Sequence, residues 1–467
     1  MDDRSFNYIN KILTFYESEL GSGFESGVYH ESCSEKMIMQ RLERAVKDEA
    51  CGNLLHSRYA IWAQDLINLI DAAVKALKQQ HDEEESLKQL MHASNSIKAY
   101  KDVMTVFDGE QQSIIYLFRE YASYLLGMDE QRSVIIEKEK IIALLKEYSG
   151  VSGADLPRDI DLSVKNKVLR VFVKNAAQNL QNDSAAFEGW VLILKHWLSG
   201  EIEYVMLDFE ARKDLMHKYG SPESGHYKRF LYRLYCMTRL FPTWFFISDS
   251  KSNTILDFVR WLKSSNLLLN HSLKEREDQI STTKTERQIE SWFVFHEGKE
   301  LLSKRWNIDR DKLFNQLPVG VFADSINSDN AVFSRGASAI DIWGIDKDGQ
   351  TLHLIELKCG DNNGLGVIGE TLFYTMLMYD TCIAEEPLFI FGKYKNMKET
   401  SDTIAIKNNG ENFGHLISHI LAENFHPLFN RGVERVIRDG LLNLGIGFDR
   451  ARYSYLKKDF VDANNDI

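Results

Sequence analysis

The chain of 467 residues has little proline, six in all, and only five cysteines, at Cys33, Cys51, Cys236, Cys359 and Cys382. Proline interrupts helix interiors, so its scarcity suits a chain rich in helices. An odd number of scattered cysteines makes no disulfide framework and no paired-cysteine metal site, and a reducing, cytoplasmic setting follows as an expectation. Met1-Asp2-Asp3-Arg4 opens without a charged-then-apolar leader. No apolar run approaches the ~18 residues of a membrane span, so no membrane association is expected. Positive charge is also in deficit: the formal net charge is −12. Phosphate binding is largely electrostatic, so a nucleic-acid ligand would need a bound cation, local basic patches or a supplied partner.

Several chemistries lack their usual signposts. No Gly-x-Ser-x-Gly elbow is present, which removes the common sign of a serine hydrolase. The glycines from Gly360 to Gly369 contain no Gly-Lys-Ser/Thr and read as a loop leading into a helix rather than a phosphate cradle. His415 and His419 stand four apart on what reads as a helical pattern, a spacing that can hold zinc, but the His-Glu-x-x-His arrangement is missing and an amphipathic helix accounts for them.

What is present lies mainly in residues 339–358. Ala339-Ile340-Asp341-Ile342-Trp343-Gly344-Ile345-Asp346 and Thr351-Leu352-His353-Leu354-Ile355-Glu356-Leu357-Lys358 read as two apolar strands around Asp348-Gly349, a strong two-residue hairpin signal. With that turn Lys347 faces Gln350, and Asp341 falls opposite Glu356. Strand side chains alternate, so Asp341, Glu356 and Lys358 point to one face. Both faces of the hairpin are apolar, which places it inside a covered sheet. Two opposed buried carboxylates are costly, and a divalent cation with oxygen ligands, Mg²⁺ or Mn²⁺, would relieve the repulsion. Without a cation, Lys358 neutralises Glu356 while Asp341 points to water.

These residues resemble the PD-(D/E)XK nuclease superfamily, with Asp341 as the motif aspartate and Glu356-Leu357-Lys358 as its (D/E)xK. The match covers roughly the last 190 residues, and Ile340 stands where that pattern has proline. The resemblance implies an αβββαβ domain with a mixed central sheet over residues 281–467. It implies Mg²⁺ or Mn²⁺ held by Asp341, Glu356 and the Leu357 carbonyl, and catalysis assisted by Lys358. Such folds open with a helix carrying one more acid, and Glu286 and Glu290 are the candidates. Thr283-x-x-Glu286 also reads as a capping box, which would occupy Glu286 otherwise. In the helix after the loop, Glu370 and Tyr374 lie one turn apart and are substrate-binding candidates, with Glu370 in place of the family's usual glutamine. Lys393 and Lys395, interleaved with Tyr394, form the best basic candidate. Arg431, Arg435 and Arg438, and then Arg450, Arg452, Lys457 and Lys458, are further clusters. Pro387–Gly392 reads as the buried strand that follows.

The first 280 residues read as all-helical, in two domains over 1–150 and 151–280. The 3.6-residue period is clear over Tyr59–Leu77, Ile114–Leu126, Val134–Tyr148, Phe187–Leu198 and Ile255–Leu268, with breaks at Ser149–Gly153, Gly220–Gly225 and Ser248–Asn253. Such an array suggests a partner-binding, sensing or substrate-guiding region. The expected function is a metal-dependent nuclease, with DNA ahead of RNA, in a setting analogous to restriction-type or antiviral defence. The alternatives are an inactive nuclease-like binding or assembly module, and a helical scaffold whose cleavage is activated conditionally. Oligomeric state is left open.

Overall fold

The computed structural model describes residues 135–461, apart from 154–155, 166, 177–186, 213–218, 220–224, 272–284, 334–337, 361–362, 393–399 and 411–412. The expected helices over Tyr59–Leu77 and Ile114–Leu126 lie outside the described residues. Two compact units are distinguished, one of Met1–Ile135 with Pro242–Leu256, the other of Ile136–Phe241 with Asp257–Ile467.

The larger unit opens with β1 (Ile136–Glu137) and α1 (Lys138–Ser149), which ends at Gly150 in the left-handed conformation that glycine tolerates. Next come β2 (Ile160–Lys165), β3 (Val168–Val173), α2 (Phe187–Trp197), β4 (Tyr204–Phe209) and α3 (Gly225–Leu240). The expectation of an all-helical region before residue 281 is therefore corrected. Strands β1, β2, β3 and β4 lie side by side in that order. The local reason is legible in Ile160-Asp161-Leu162-Ser163-Val164-Lys165, whose apolar residues recur every second position and are buried while Asp161 is exposed. β2 and β3 pair antiparallel, from Ile160 with Val173 to Lys165 with Val168. β3 and β4 pair parallel, which needs a crossover, and α2 provides it.

The smaller unit's described part is β5 (Phe245–Ile247) and the beginning of α4 (Asp249–Ser264). The break expected over Ser248–Asn253 thus falls largely inside a helix, because nothing in Asp249-Ser250-Lys251-Ser252-Asn253 forbids helical backbone at an N-terminus that favours Asp and Ser. The helix expected to run to Leu268 stops at Ser264, and β6 (Leu267–Leu269) follows.

The second large sheet is built from residues 308–461. After α5 (Glu286–Phe295) and α6 (Gly298–Trp306) come β7 (Ile308–Pro318), β8 (Val321–Ala323), β9 (Ala339–Asp346), β10 (Thr351–Lys358), α7 (Gly366–Cys382), β11 (Ile390–Phe391), α8 (Ser401–Gly410), β12 (His415–Ala422), α9 (Arg431–Leu442), β13 (Gly447–Ser454) and β14 (Asp459–Val461). The strand order is β14-β13-β12-β10-β9-β7. β10, β12 and β13 run parallel, and the remaining pairings are antiparallel. A third sheet joins β11, β6 and β8.

Two expectations fail in this region. Residues 415–419 are strand, not helix: Leu416-Ile417-Ser418-His419-Ile420-Leu421 is a short apolar run, which periodicity alone does not separate from a buried helix. It is β12 that returns parallel to β10 after α7. Pro387–Gly392 contributes only the two-residue β11, which pairs with β6 in the small sheet and leaves Ile390 53% exposed.

α5 and α6 pack on one face of the sheet, where Ile289, Phe293, Leu302 and Trp306 meet Ile342, Ile355, Leu357 and Leu421. The imidazoles of His353 and His419 are buried side by side, with Nδ1 of the first 3.0 Å from Nε2 of the second and Trp306 stacked 4.0 Å from the His419 ring. Burial holds both neutral, pushing His353 down to about 4 and His419 well below the ordinary imidazole range. An unfolded chain would protonate both near pH 6.5. Between about pH 6.5 and 4 the unfolded state thus binds more protons, and the pair's contribution to stability falls with the pH. The wild-type thermal midpoint is expected to drop toward that of a His353→Gln/His419→Gln variant across this interval; parallel pH profiles would contradict the assignment.

Candidate functional site

The hairpin places the first two acids. β9 and β10 pair from Leu352 with Ile345 to Ile355 with Ile342, the register that the Asp348-Gly349 turn predicts. One step further outward, that register sets Asp341 against Glu356. Gly349 takes a φ of 76°, and the Asp346 carboxylate accepts from the Gln350 and Thr351 backbone N–H groups, closing the turn. Ile342, Ile355 and Leu357 enter the core beneath α5. Strand alternation therefore turns Asp341, Glu356 and Lys358 to the opposite face.

The Lys358 ammonium collects the cluster. It lies 2.8 Å from Glu356 Oε1, 3.4 Å from Glu370 Oε2 and 3.8 Å from Glu286 Oε1. Asp341 Oδ2 accepts from the Leu357 N–H at 2.9 Å. Glu290 is buried and accepts from Gln316 Nε2 at 2.8 Å. Glu286, at the first turn of α5, is available because the cap differs from expectation. Thr285, not Thr283, caps the helix, and Gln288 completes the capping box. Thr283 itself lies outside the described residues. Glu356 Oε2 and Glu286 Oε1 are buried oxygens with no hydrogen-bond partner.

The electrostatics follow from burial. It pushes Asp341 up to about 7 against the pull of Lys358, and Glu290 up to about 7. Burial and the neighbouring Asp341 carboxylate raise Glu356 well above the usual range, and burial raises Glu286. Burial would lower Lys358, but Glu356, Glu370, Asp341 and Glu286 together hold its proton more firmly than usual. One ammonium among five carboxylates leaves an uncompensated negative charge that protons or a metal ion would relieve.

Among the described residues, no group of three or more His, Cys, Asp and Glu side chains is arranged to hold a metal ion. The donor set nevertheless suits Mg²⁺ or Mn²⁺. Mg²⁺ takes one or two carboxylates and keeps several waters, and the unpartnered Glu356 Oε2 beside Asp341 answers that description.

On α7, Glu370 turns toward this cluster, with Oε2 3.4 Å from Lys358 Nζ. Tyr374 is buried, and burial with the nearby Glu356 carboxylate raises its hydroxyl above the usual range. Lys393 and Lys395 lie outside the described residues. Much of the other basic charge is committed internally. Arg450 is buried against Glu434 and the Phe429 carbonyl, Arg438 binds Glu434, Arg452 reaches the Glu423 carbonyl, and Lys458 pairs with Glu297.

Sequence reasoning missed the arginines of α3. Arg229 and Arg233 are 5% and 4% exposed, and Arg233 pairs with the buried Glu188 of α2. Gly-His-Tyr-Lys-Arg-Phe-Leu-Tyr-Arg-Leu-Tyr-Cys-Met-Thr-Arg-Leu carried the signal: basic residues spread around a helix that is otherwise apolar and aromatic must find buried partners. No family model, curated protein or solved structure matches the chain.

The raised Glu290 carboxyl has a measurable cost. Its folded form binds a proton that the unfolded chain releases near pH 4.3, so its charge destabilises the fold as the pH rises toward 7. Without added metal, Glu290→Gln is expected to be more stable than wild type at pH 8, by on the order of 2 kcal/mol, with the difference vanishing near pH 4. Denaturant unfolding at the two pH values checks this; a variant less stable at pH 8 would contradict it.

Proposed function

We propose that this chain is a metal-dependent phosphodiesterase acting on nucleic acid, DNA before RNA. The observation that carries this reading is Glu356: bonded to Lys358, followed by Leu357 whose N–H donates to Asp341, and buried with one carboxylate oxygen unpartnered. A domain without chemistry has little use for so costly an arrangement in the face of a sheet. The PD-(D/E)XK-like spacing of Asp341, Glu356 and Lys358 points to the same chemistry.

Asp341, Glu356 and the Leu357 carbonyl would hold Mg²⁺, with Glu286 or Glu290 completing the shell directly or through water. The ion would polarise the scissile phosphate and lower the pKa of a bound water. Lys358 would orient the attacking water and stabilise the charge growing on the phosphate oxygens. Glu356 and Glu370 hold the ammonium in place until substrate phosphate competes for it. The charge of −12 and the internally paired arginines imply weak intrinsic affinity. The region before residue 136 is the natural place for a partner that brings substrate. The cytoplasm and a defence role are proposals of the same order; no described helix is long and apolar enough to cross a membrane.

The inactive-module reading has one observation in its favour, that Lys358 is engaged by three carboxylates. Plasmid, single-stranded DNA and RNA incubated with Mg²⁺ or Mn²⁺ separate the two. Cleavage is expected in wild type and is expected to be abolished in Asp341→Ala and Glu356→Ala, both still folded. Lys358→Ala is expected to lower kcat by roughly two orders of magnitude or more with little change in KM. Full metal-dependent activity in both carboxylate variants would reject the reading.

A further inference from the structure

The three parallel strands of the second sheet end together. In their register one rung crosses all three: Lys358 of β10 pairs with Ala422 of β12, and Ala422 pairs with Arg452 of β13. In open sheets ligands gather outside the carboxyl ends of such strands. This is also the end at which Lys358 meets its carboxylates. With neighbouring strands about 4.8 Å apart, the Lys358 and Arg452 backbones stand roughly 10 Å from each other.

Alternation fixes the face. Ala451 and Tyr453 enter the core beneath α5, so Arg452 between them turns to the other side, the side of Glu356 and Lys358. Two bonds on the same rows agree. Arg450 binds Glu434 of α9, and Ser418 of β12 accepts from Thr375 of α7. The Arg452 side chain then leans along the rim. Its Nε donates to the Glu423 carbonyl at 3.4 Å and its Nη2 to Asn424 Oδ1 at 3.3 Å. The Glu423 N–H in turn donates to the Lys358 carbonyl at 3.2 Å. The guanidinium is thus drawn from β13 across the end of β12 toward β10.

The fold treats the two arginines of β13 differently. Arg450 is buried and closely bonded, to Glu434 Oε2 at 2.8 Å and to the Phe429 carbonyl at 2.7 Å. Arg452 is half-buried at the rim, and its bonds to Glu423 and Asn424 lie near the long limit. Bonds of that length to neutral oxygens yield readily to a phosphate, whose oxygens the planar fork can take two at a time.

We propose that Arg452 holds a phosphate flanking the scissile one, so that a nucleic-acid strand runs along the carboxyl ends of β10, β12 and β13 from Lys358 to Arg452. The inference rests on the phosphodiesterase reading and adds to it the path of the substrate. Phosphate contacts position a strand without reading its sequence. Two cations on one rung therefore give the strand both an attachment and a direction.

The test uses the full-length chain with Mn²⁺ and an end-labelled DNA strand, alone or annealed to its complement. One phosphate at a time is replaced by a neutral methylphosphonate, and cleavage at every bond is read on a gel. Wild type is expected to cut poorly at bonds a fixed number of phosphates from the neutral one, on one side only. In Arg452→Gln that offset is expected to vanish, and KM on the unmodified strand to rise roughly tenfold. The slope of log KM against log salt is expected to fall by about one. Mn²⁺ affinity, measured by calorimetry, is expected to stay within about threefold of wild type, because Arg452 lies outside the ion's shell. Arg452→Lys is expected to recover part of the KM, and it carries the comparison should Arg452→Gln fail to fold by thermal unfolding. An offset that persists in a folded Arg452 variant, or none in wild type, would overturn this inference alone. So would losses of kcat and Mn²⁺ affinity that match the rise in KM. A wild type that neither binds Mn²⁺ nor cleaves overturns the phosphodiesterase reading and this inference with it.

Discussion

The contact between the Lys358 ammonium and the Glu356 carboxylate, 2.8 Å apart, is the constraint around which this half of the chain is arranged. Neither charge is tolerable alone in the face of a covered sheet. Together they remain incomplete, because Glu370 and Glu286 also approach the same ammonium and the buried Asp341 carboxylate lies in its field. The strand pairing, the helix cap at Thr285 and the clamp of α3 on α7 each deliver one of these groups. The cluster is therefore a point where the fold gives up stability, which is the ground for proposing it as a site of function.

The balance of charge explains why the surroundings are so heavily bonded. Asp380 takes bonds from Tyr232 and Arg239, Glu188 holds Arg233, and Thr375 donates to Ser418 across from α7 to β12. These buried polar links fix α7 on two sides. A helix so held can present Glu370 without the freedom to rotate it away from Lys358. The opposite face of the sheet is closed by α5 and α6 on an apolar core, so the acids cannot relax through the sheet.

How much of this was legible in the amino acids depended on how local the information was. The Asp348-Gly349 turn sets the β9–β10 register, and that register alone opposes Asp341 to Glu356. Alternation in Ile160–Lys165 is equally local but is overshadowed by strong helical periods on either side, and the region expected to be all-helical contains a sheet. The run from Leu416 to Leu421 is short and apolar, a pattern shared by buried strands and buried helices, and only its parallel pairing with β10 decides between them. The capping box slipped from Thr283 to Thr285 because both positions carry threonine, and the consequence was to free Glu286 for Lys358. Arg229 could not be placed at all, because the Phe373 ring it covers lies far along the chain and spacing carries no trace of it.

The central claim is that the pair Asp341 and Glu356 holds one divalent cation beside Lys358. Titration calorimetry of the full-length chain with Mn²⁺ at pH 8 tests it most directly. The account predicts one saturable site whose binding is lost in Glu356→Gln while that variant stays folded. No saturable site in wild type, or the same affinity in Glu356→Gln, would contradict it.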